Sequence, residues 1–72
     1  MIFKFYLHIN YQQFLDYYQG HANKVEVVEQ GGKTLLIHAR HFRPFLTSAG
    51  LSGQFQLTLD TSGQFQSLVR LA

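Results

Sequence analysis

The stretch that decides the fold class is MIFKFYLHINYQQFLDYYQG, residues 1–20, where the hydrophobic period changes from that of a strand to that of a helix. Over residues 2–9 the apolar side chains fall on every second position, which predicts a half-buried β-strand. Over residues 11–19 they recur at helical spacing, which predicts an amphipathic helix. A strand followed at once by a helix indicates a domain in which a helix packs against a sheet.

The junction between the two elements carries several helix-start signals. Asn10 can cap the helix, and Gln13 stands where it completes a capping box. Ile9 and Phe14 occupy the two positions of a hydrophobic staple, which fixes the angle at which the chain enters the helix. Gly20 follows the last helical residue, where a left-handed C-terminal cap is expected.

Downstream of the helix, alternating apolar residues predict a first β-hairpin. Pairing Val25 with Ile37 and Val27 with Leu35 puts all four side chains on one face, and it requires a three-residue loop, 30–32. Such loops commonly place a glycine in the left-handed conformation. The four strands expected after the helix, two of them in this hairpin, cover residues 22–30, 33–38, 54–60 and 64–71.

The last two strands form a second predicted hairpin around a turn at residues 61–63. The final strand is irregular, because Leu68 falls on the face opposite to its other apolar residues. A β-bulge near Ser67 would bring Leu68 inward. The other apolar residues of this strand, which share one face in a regular strand, are Phe65, Val69 and Leu71.

Residues 39–46, ARHFRPFL, separate the two hairpins and lack strand alternation. The chain's only proline lies here and precludes a long helix. We therefore expect a short turn that packs Phe42 and Phe45 over the open end of the sheet. Residues 47–53 are expected to form a loop with Leu51 as its apolar anchor.

The predicted order, β-α-β-β-turn-β-β, gives one α+β domain over residues 1–72. We expect a small antiparallel five-stranded curved sheet with one amphipathic helix across it. The alternative is a partly closed small β-barrel with an inserted helix, because five short strands with glycine-rich turns also suit a barrel.

The residue types present exclude several kinds of chemistry. The chain has no cysteine, which excludes disulfides, thiolate metal sites and a thiol nucleophile. Its serines lie near glycines and turns, and neither a nucleophile elbow nor a phosphate-binding loop is present. A metal site at His38 and His41 is not expected, because Arg40 and Arg43 beside them would repel a cation. We therefore expect no enzymatic activity, no metal and no cofactor.

Three segments of the chain resemble a known family. They are YYQGHANKVEVV (17–28), HFRPFLTSAGLSGQF (41–55) and SLVRL (67–71). The chain is similar over nearly its whole length to the small bacterial proteins of Domain of Unknown Function 2835. The resemblance implies a cytoplasmic single-domain protein and brings with it no activity, substrate or catalytic residue.

The candidate binding residues are Arg40, His41 and Arg43, which lie within four positions in the predicted turn. No acidic residue occurs between Glu29 and Asp60, so local neutralisation of these charges is not expected. Arginines on a rigid support offer forked donors to carboxylate or phosphate. This cluster is therefore the predicted contact for an acidic protein surface or a nucleic-acid backbone.

The aromatic content indicates the class of function. Seven phenylalanines and four tyrosines exceed the six basic and four acidic residues. We do not expect a single helix on a five-stranded sheet to cover Tyr6, Tyr17 and one of Tyr11 or Tyr18. Because tyrosine and phenylalanine are enriched at interfaces, we expect a protein-interaction or adaptor module, with a protein partner or self-association. Nucleic-acid binding through the basic and aromatic turn 39–46 is the alternative. With no long apolar segment, we expect no membrane contact and a cytoplasmic location.

Overall fold

A computed structural model of the protein describes residues 1–20 and 23–72. Within them the α+β class, the element order and the five antiparallel strands with one helix are confirmed. The predicted first residue of the second strand, Ala22, lies outside the described residues. The elements are β1 (Ile2–Ile9), α1 (Tyr11–Gln19), β2 (Lys24–Val28), β3 (Thr34–His38), two short 3-10 helices (Ala39–His41 and Arg43–Phe45), β4 (Leu51–Leu59) and β5 (Phe65–Arg70).

The five strands divide between two sheets instead of forming the single sheet expected. One sheet has the order β1-β4-β5, and the other is the β2-β3 hairpin alone. The hairpin meets β1 near its loop, where Gln30 N donates to Lys4 O at 2.8 Å. The buried face of the β2-β3 hairpin belongs to the same hydrophobic cluster as the inner face of the larger sheet. Side-chain packing, and not continuous strand pairing, therefore holds the hairpin against that sheet. The sheets do not close, and the barrel alternative is wrong.

The start of α1 is as predicted, but its end is not. Gln13 N donates to Asn10 Oδ1 at 2.8 Å, and Asn10 N donates to Gln13 Oε1 at 2.9 Å, which is a complete capping box. Phe14 is buried. Gly20 is extended, with φ −77°, and is not a left-handed cap. Lack of a side chain still matters there, because a Cβ would lie 2.6 Å from Asp16 O.

The β2-β3 hairpin has the predicted register. Val25 pairs with Ile37 and Val27 with Leu35, and all four side chains are buried. The loop contains the expected left-handed glycine, Gly32, with φ +95°. The three-residue loop that the apolar pattern predicted, 30–32, is therefore confirmed.

The β4 strand begins three residues earlier than expected, because every residue of β1 pairs with it. Ile9 pairs with Leu51 and Leu7 with Gly53, so the segment predicted to be a loop up to residue 53 is already strand from Leu51 onward. The predicted anchor role of Leu51 is confirmed, since its side chain is fully buried.

A β-bulge interrupts the β4-β5 pairing, one position earlier than expected. Thr58 pairs with Ser67 and Leu59 with Phe65, which leaves Gln66 as the extra residue. Leu68 is buried, as the bulge hypothesis required. The prediction that Val69 and Leu71 share a face with Phe65 is wrong, because the bulge turns Phe65 to the face of Leu59 while Val69 and Leu71 are exposed.

The segment between the hairpins packs its phenylalanines inward as expected. Phe42 is fully buried and lies edge-on to Phe55 and Phe5, at centroid distances of 5.5 Å and 6.2 Å. Phe45 is half-buried against Phe55 at 5.5 Å. These rings join the 3-10 helices to the larger sheet and thereby fix the position of the basic residues that the two helices carry.

Candidate interaction site

A groove of about 320 Å³ lies between β3 and the β4-β5 hairpin. This volume is in the range of ordinary ligand sites, roughly 300–1,000 Å³. The side next to the smaller sheet is formed by Thr34–His38, and no β2 residue lines the groove. The other lining residues are His41, Leu57, Leu59, Gly63 and Phe65.

The edge of β3 beside the groove carries free backbone groups. Glu29 N donates to Lys33 O and Ala39 N donates to Asn23 O, both at 2.9 Å, just beyond the two ends of the β2-β3 ladder. Hydrogen-bonded pairs alternate along an antiparallel ladder, so the backbone groups of residues 35 and 37 point toward β2.

The same alternation directs the N–H and C=O groups of Thr34, Leu36 and His38 away from β2. In the part of the chain that the structure describes, no strand pairs with this edge. The groove therefore has a row of backbone donors and acceptors along one side.

One end of the groove is bounded by an aromatic stack between the two sheets. The rings of His41 and Phe65 lie 3.6 Å apart with an interplanar angle of 7°. Burial lowers the pKa of the His41 imidazole, and the nearby charges of Arg40 and His38 lower it further. The imidazole is therefore held toward its neutral form against the phenyl ring.

The bulge explains why Phe65 reaches His41. Side chains alternate between faces along a strand, so Phe65 and Leu68, three positions apart, would face opposite sides of a regular β5. The extra residue Gln66 puts both on the inner face, with Phe65 paired to Leu59. Without the bulge the aromatic stack would not form.

The structure places the three predicted site residues in different surroundings. Arg40 is exposed on the first 3-10 helix, and its backbone N–H donates to His38 Nδ1 at 3.1 Å. His41, on the same 3-10 helix, lines the groove. Arg43 instead contacts α1, because its Nη1 donates to Tyr18 OH at 2.8 Å and its guanidinium lies 5.5 Å from the Tyr18 ring centroid.

Arg43 therefore connects the second 3-10 helix to α1. Tyr18 in turn stacks on the buried Phe14 at a centroid distance of 5.7 Å. Arg40 and His41 thus lie side by side on the first 3-10 helix, and His41 lines the groove. Neither Arg40 nor Arg43 is among its lining residues.

Sequence reasoning missed the β3 edge and Phe65 as parts of the site. The one sequence signal was an apolar residue, Leu36, at the outward position between Leu35 and Ile37, which indicates an exposed apolar surface on β3. The Phe65 contact had no local signal, because it depends on the position of the bulge. Burial of Phe42 also removes a ring that the predicted nucleic-acid stacking surface required.

Two features are absent from the described residues. No group of three or more His, Asp or Glu side chains there is arranged to hold a metal ion. The single α-helix in the described part of the chain falls short of the length and apolarity needed to cross a membrane.

Comparison with known protein families shows to which family the chain belongs. The model of the family described as Protein of unknown function (DUF2835) matches residues 1–71, so the chain belongs to this family. Neither the comparison with curated proteins nor that with solved structures gave a match.

Proposed function

We propose that this DUF2835 protein is a non-enzymatic protein-interaction or adaptor module of the bacterial cytoplasm that binds an extended segment of a partner along β3. The observation that carries the proposal is the unpaired edge of β3 beside an apolar groove. A strand edge presents a ready-made template for pairing with another chain. Strand addition is also a recurrent mode of peptide recognition, in which backbone hydrogen bonds supply affinity and pockets supply specificity.

The exposed surface of the hairpin supports a protein ligand. Leu36 is 64% exposed and Val28 is 62% exposed, although both lie in strands. Burial of such side chains contributes roughly 25 cal/mol per Å² of apolar area. The exposed tyrosines, Tyr6, Tyr11 and Tyr17, add amphipathic surface of the kind enriched at interfaces.

Self-association is one form of this interaction. The residues with outward backbone groups are centred on Leu36, so two antiparallel β3 edges could pair about a twofold axis there. A second copy of the chain is thus one protein partner that fits the same edge.

Nucleic-acid binding is the second candidate function, and a different surface favours it. The sheet formed by β1, β4 and β5 contains no carboxylate, and Lys4 and His8 flank Tyr6 on one face of β1. Tyr6 is 71% exposed, which leaves its ring available for stacking on a base. Arg40 is not part of this surface, because the neighbouring Phe42 packs on Phe5, on the opposite face of β1.

A matched pair of substitutions at one position tests the leading proposal. Leu36→Pro removes the outward N–H, while the hydrogen bonds to β2 come from neighbouring residues. Leu36→Thr keeps the N–H and the strand preference but removes the exposed leucine side chain. We expect tagged Leu36→Pro protein to lose most of the partner that co-purifies with wild type from its own cell. Leu36→Thr should retain clearly more of it than Leu36→Pro, because it gives up only the apolar contact of the leucine side chain.

Two controls make the result interpretable. Melting temperatures of the purified variants show whether Leu36→Pro is folded. If it is not, chemically synthesised chain with an N-methylated Leu36 removes the same donor with a smaller backbone change. Retention of the partner at wild-type level by a folded variant without the N–H contradicts the proposal. Loss of the partner on nuclease treatment, or in Tyr6→Ala, supports nucleic-acid binding instead.

A further inference from the structure

We infer that the groove selects an extended peptide with apolar side chains at two alternate positions and an acidic side chain beyond the His38 end. The inference rests on the proposed function, because it names the ligand class of the same groove. It follows from the backbone geometry of β3, the residues that line the groove and the charges at its end.

The backbone geometry fixes which ligand side chains enter the groove. A strand added to β3 exchanges hydrogen bonds with Thr34, Leu36 and His38, whose backbone groups point outward. Residues directly opposite each other in a sheet project to the same face. Ligand residues opposite Leu35 and Ile37 therefore project toward the core side, where those two side chains are buried.

The ligand residue between these two projects to the other face. It lies opposite Leu36, whose side chain is exposed. The groove therefore binds the side chains at positions i and i+2 of the ligand, and the side chain at position i+1 stays in solvent. A ligand with two adjacent apolar residues can place only one of them inside.

The lining is suited to aliphatic anchors. Leu57 and Leu59 extend from β4 beneath the β3 edge, and Phe65 adds an aromatic wall that is itself partly exposed. No carboxylate is present among the residues that line the groove. Apolar ligand side chains would cover this surface without burying an unpaired charge.

The charges at the His38 end favour an acidic residue there. Arg40 is exposed next to His38 and His41. The carboxylate of Asp60 accepts hydrogen bonds from its own turn, including those of the Ser62 and Gln64 N–H groups at 2.9 Å. It is thus already engaged, and a ligand carboxylate can complement Arg40.

Two synthetic peptides of identical composition test the inference. Acetylated and amidated Glu-Thr-Val-Thr-Val-Thr-Glu alternates its valines, whereas Glu-Thr-Val-Val-Thr-Thr-Glu places them side by side. Both carry a glutamate at each end, so either strand direction presents an acid to Arg40. The measurement is a titration of the isotope-labelled full chain, followed by the NMR chemical shifts of its backbone amides.

We expect the alternating peptide to shift the amides of Thr34–His38 and to bind about tenfold more tightly than the adjacent one, the difference that burial of one further valine supplies. Exchange of both glutamates for lysines, or Arg40→Ala in the protein, should weaken binding of the alternating peptide. Arg43→Ala is the matched control and should leave the affinity unchanged, because Arg43 contacts Tyr18 outside the groove.

Equal affinities of the two peptides, shifts outside β3, or no binding of either would overturn the inference. None of these results decides the proposed function, which depends on the partner retained by the Leu36 variants. A titration with single-stranded oligo-dT gives the remaining alternative. Shifts at Lys4, Tyr6 and His8 with oligo-dT, together with none at β3 with peptide, would contradict the inference and favour nucleic-acid binding.

Discussion

The two hairpin loops, residues 29–33 and 60–64, have the same backbone design although their sequences differ. In each, the N–H of the first residue donates to the carbonyl of the fifth at 2.9 Å. In each, the fourth residue is a glycine with positive φ, +95° at Gly32 and +87° at Gly63. The loop conformation therefore depends on the first and the fourth residue, and the two residues between them are free to vary.

Both loops are also closed by a carboxylate from their first residue. The carboxylates of Glu29 and Asp60 accept hydrogen bonds from the backbone N–H groups of the third and fifth loop residues, at 2.8–2.9 Å. Glu29 uses two oxygens, and the shorter Asp60 uses one for both bonds. The same closure is thus reached with two side-chain lengths.

The hairpins diverge beyond their loops. The β2-β3 ladder is regular, and no strand among the described residues pairs with the outer edge of β3. By contrast, β5 has a bulge at Gln66 and β4 is paired on both sides. The loop therefore does not determine which faces or edges are available. The groove results from this difference, because one hairpin provides the free edge and the other provides Phe65.

The largest expected effect is a loss of folding stability, and it should be greater for a core residue of the β4-β5 hairpin than for one of the β2-β3 hairpin. Phe55 of β4 is fully buried and stacks on Phe5 at a centroid distance of 5.8 Å. Leu35 of β3 is 9% exposed at the rim of the groove. We expect Phe55→Ala to destabilise the domain by about 3–5 kcal/mol and Leu35→Ala by about 2–3 kcal/mol. Urea unfolding measures both, and a larger loss for Leu35→Ala would contradict this order.

Much of this fold was predictable, because the relevant signals are local. The strand-to-helix change at residues 9–11, the capping box and the register of Val25 with Ile37 all follow from apolar spacing and short-range hydrogen bonding. The division into two sheets does not, since a strand's pattern specifies its buried face and leaves its neighbours undetermined. The extension of β4 to Leu51 likewise depends on a long-range partner, β1.

The candidate site was predictable only in part. The exposed Arg40 and the groove residue His41 lie in the segment identified from charge and aromatic spacing. The contact of Arg43 with Tyr18 joins residues 25 positions apart, and no sequence pattern indicated it. The free β3 edge requires knowledge of the sheet order. The recurrence of an acid three residues before a glycine, at Glu29 and Asp60, was an available but unused signal for the carboxylate closures.

An intermediate effect tests whether the loops are equivalent. A Cβ at Gly32 or Gly63 would meet no atom within 4 Å, so substitution costs only the positive φ. Gly32→Ala and Gly63→Ala should each destabilise the domain by about 1–2 kcal/mol. Asparagine tolerates this conformation, so Gly32→Asn and Gly63→Asn should cost less than alanine. Urea midpoints at unchanged slope provide the measurement, and markedly unequal losses at the two glycines would show that the loops are not equivalent.

The smallest expected effect concerns acid pH and distinguishes the two carboxylates. Backbone hydrogen bonds from Gly31 and Lys33 lower the pKa of Glu29 from its ordinary value of 4.5. Hydrogen bonds from Gln64 and Ser62 lower the pKa of Asp60 from its ordinary value of 3.8. In both cases the unfolded chain binds a proton at a higher pH than the folded chain. The stabilisation is therefore complete above the ordinary pKa and is lost as the pH falls through it toward the folded pKa.

Thermal unfolding between pH 6 and 2.5 tests this sign and the order of the two losses. Because 4.5 exceeds 3.8, the loss due to Glu29 should begin at higher pH than that due to Asp60. Glu29→Gln should lower the melting temperature at pH 6 and flatten its decline below about pH 4.5, and Asp60→Asn should flatten the decline only at lower pH. The remaining acidic side chains, those of Asp16 and Glu26, are common to all three proteins, so they cancel in the comparison. Melting curves of both variants that stay parallel to wild type throughout would show that these carboxylates do not stabilise the loops.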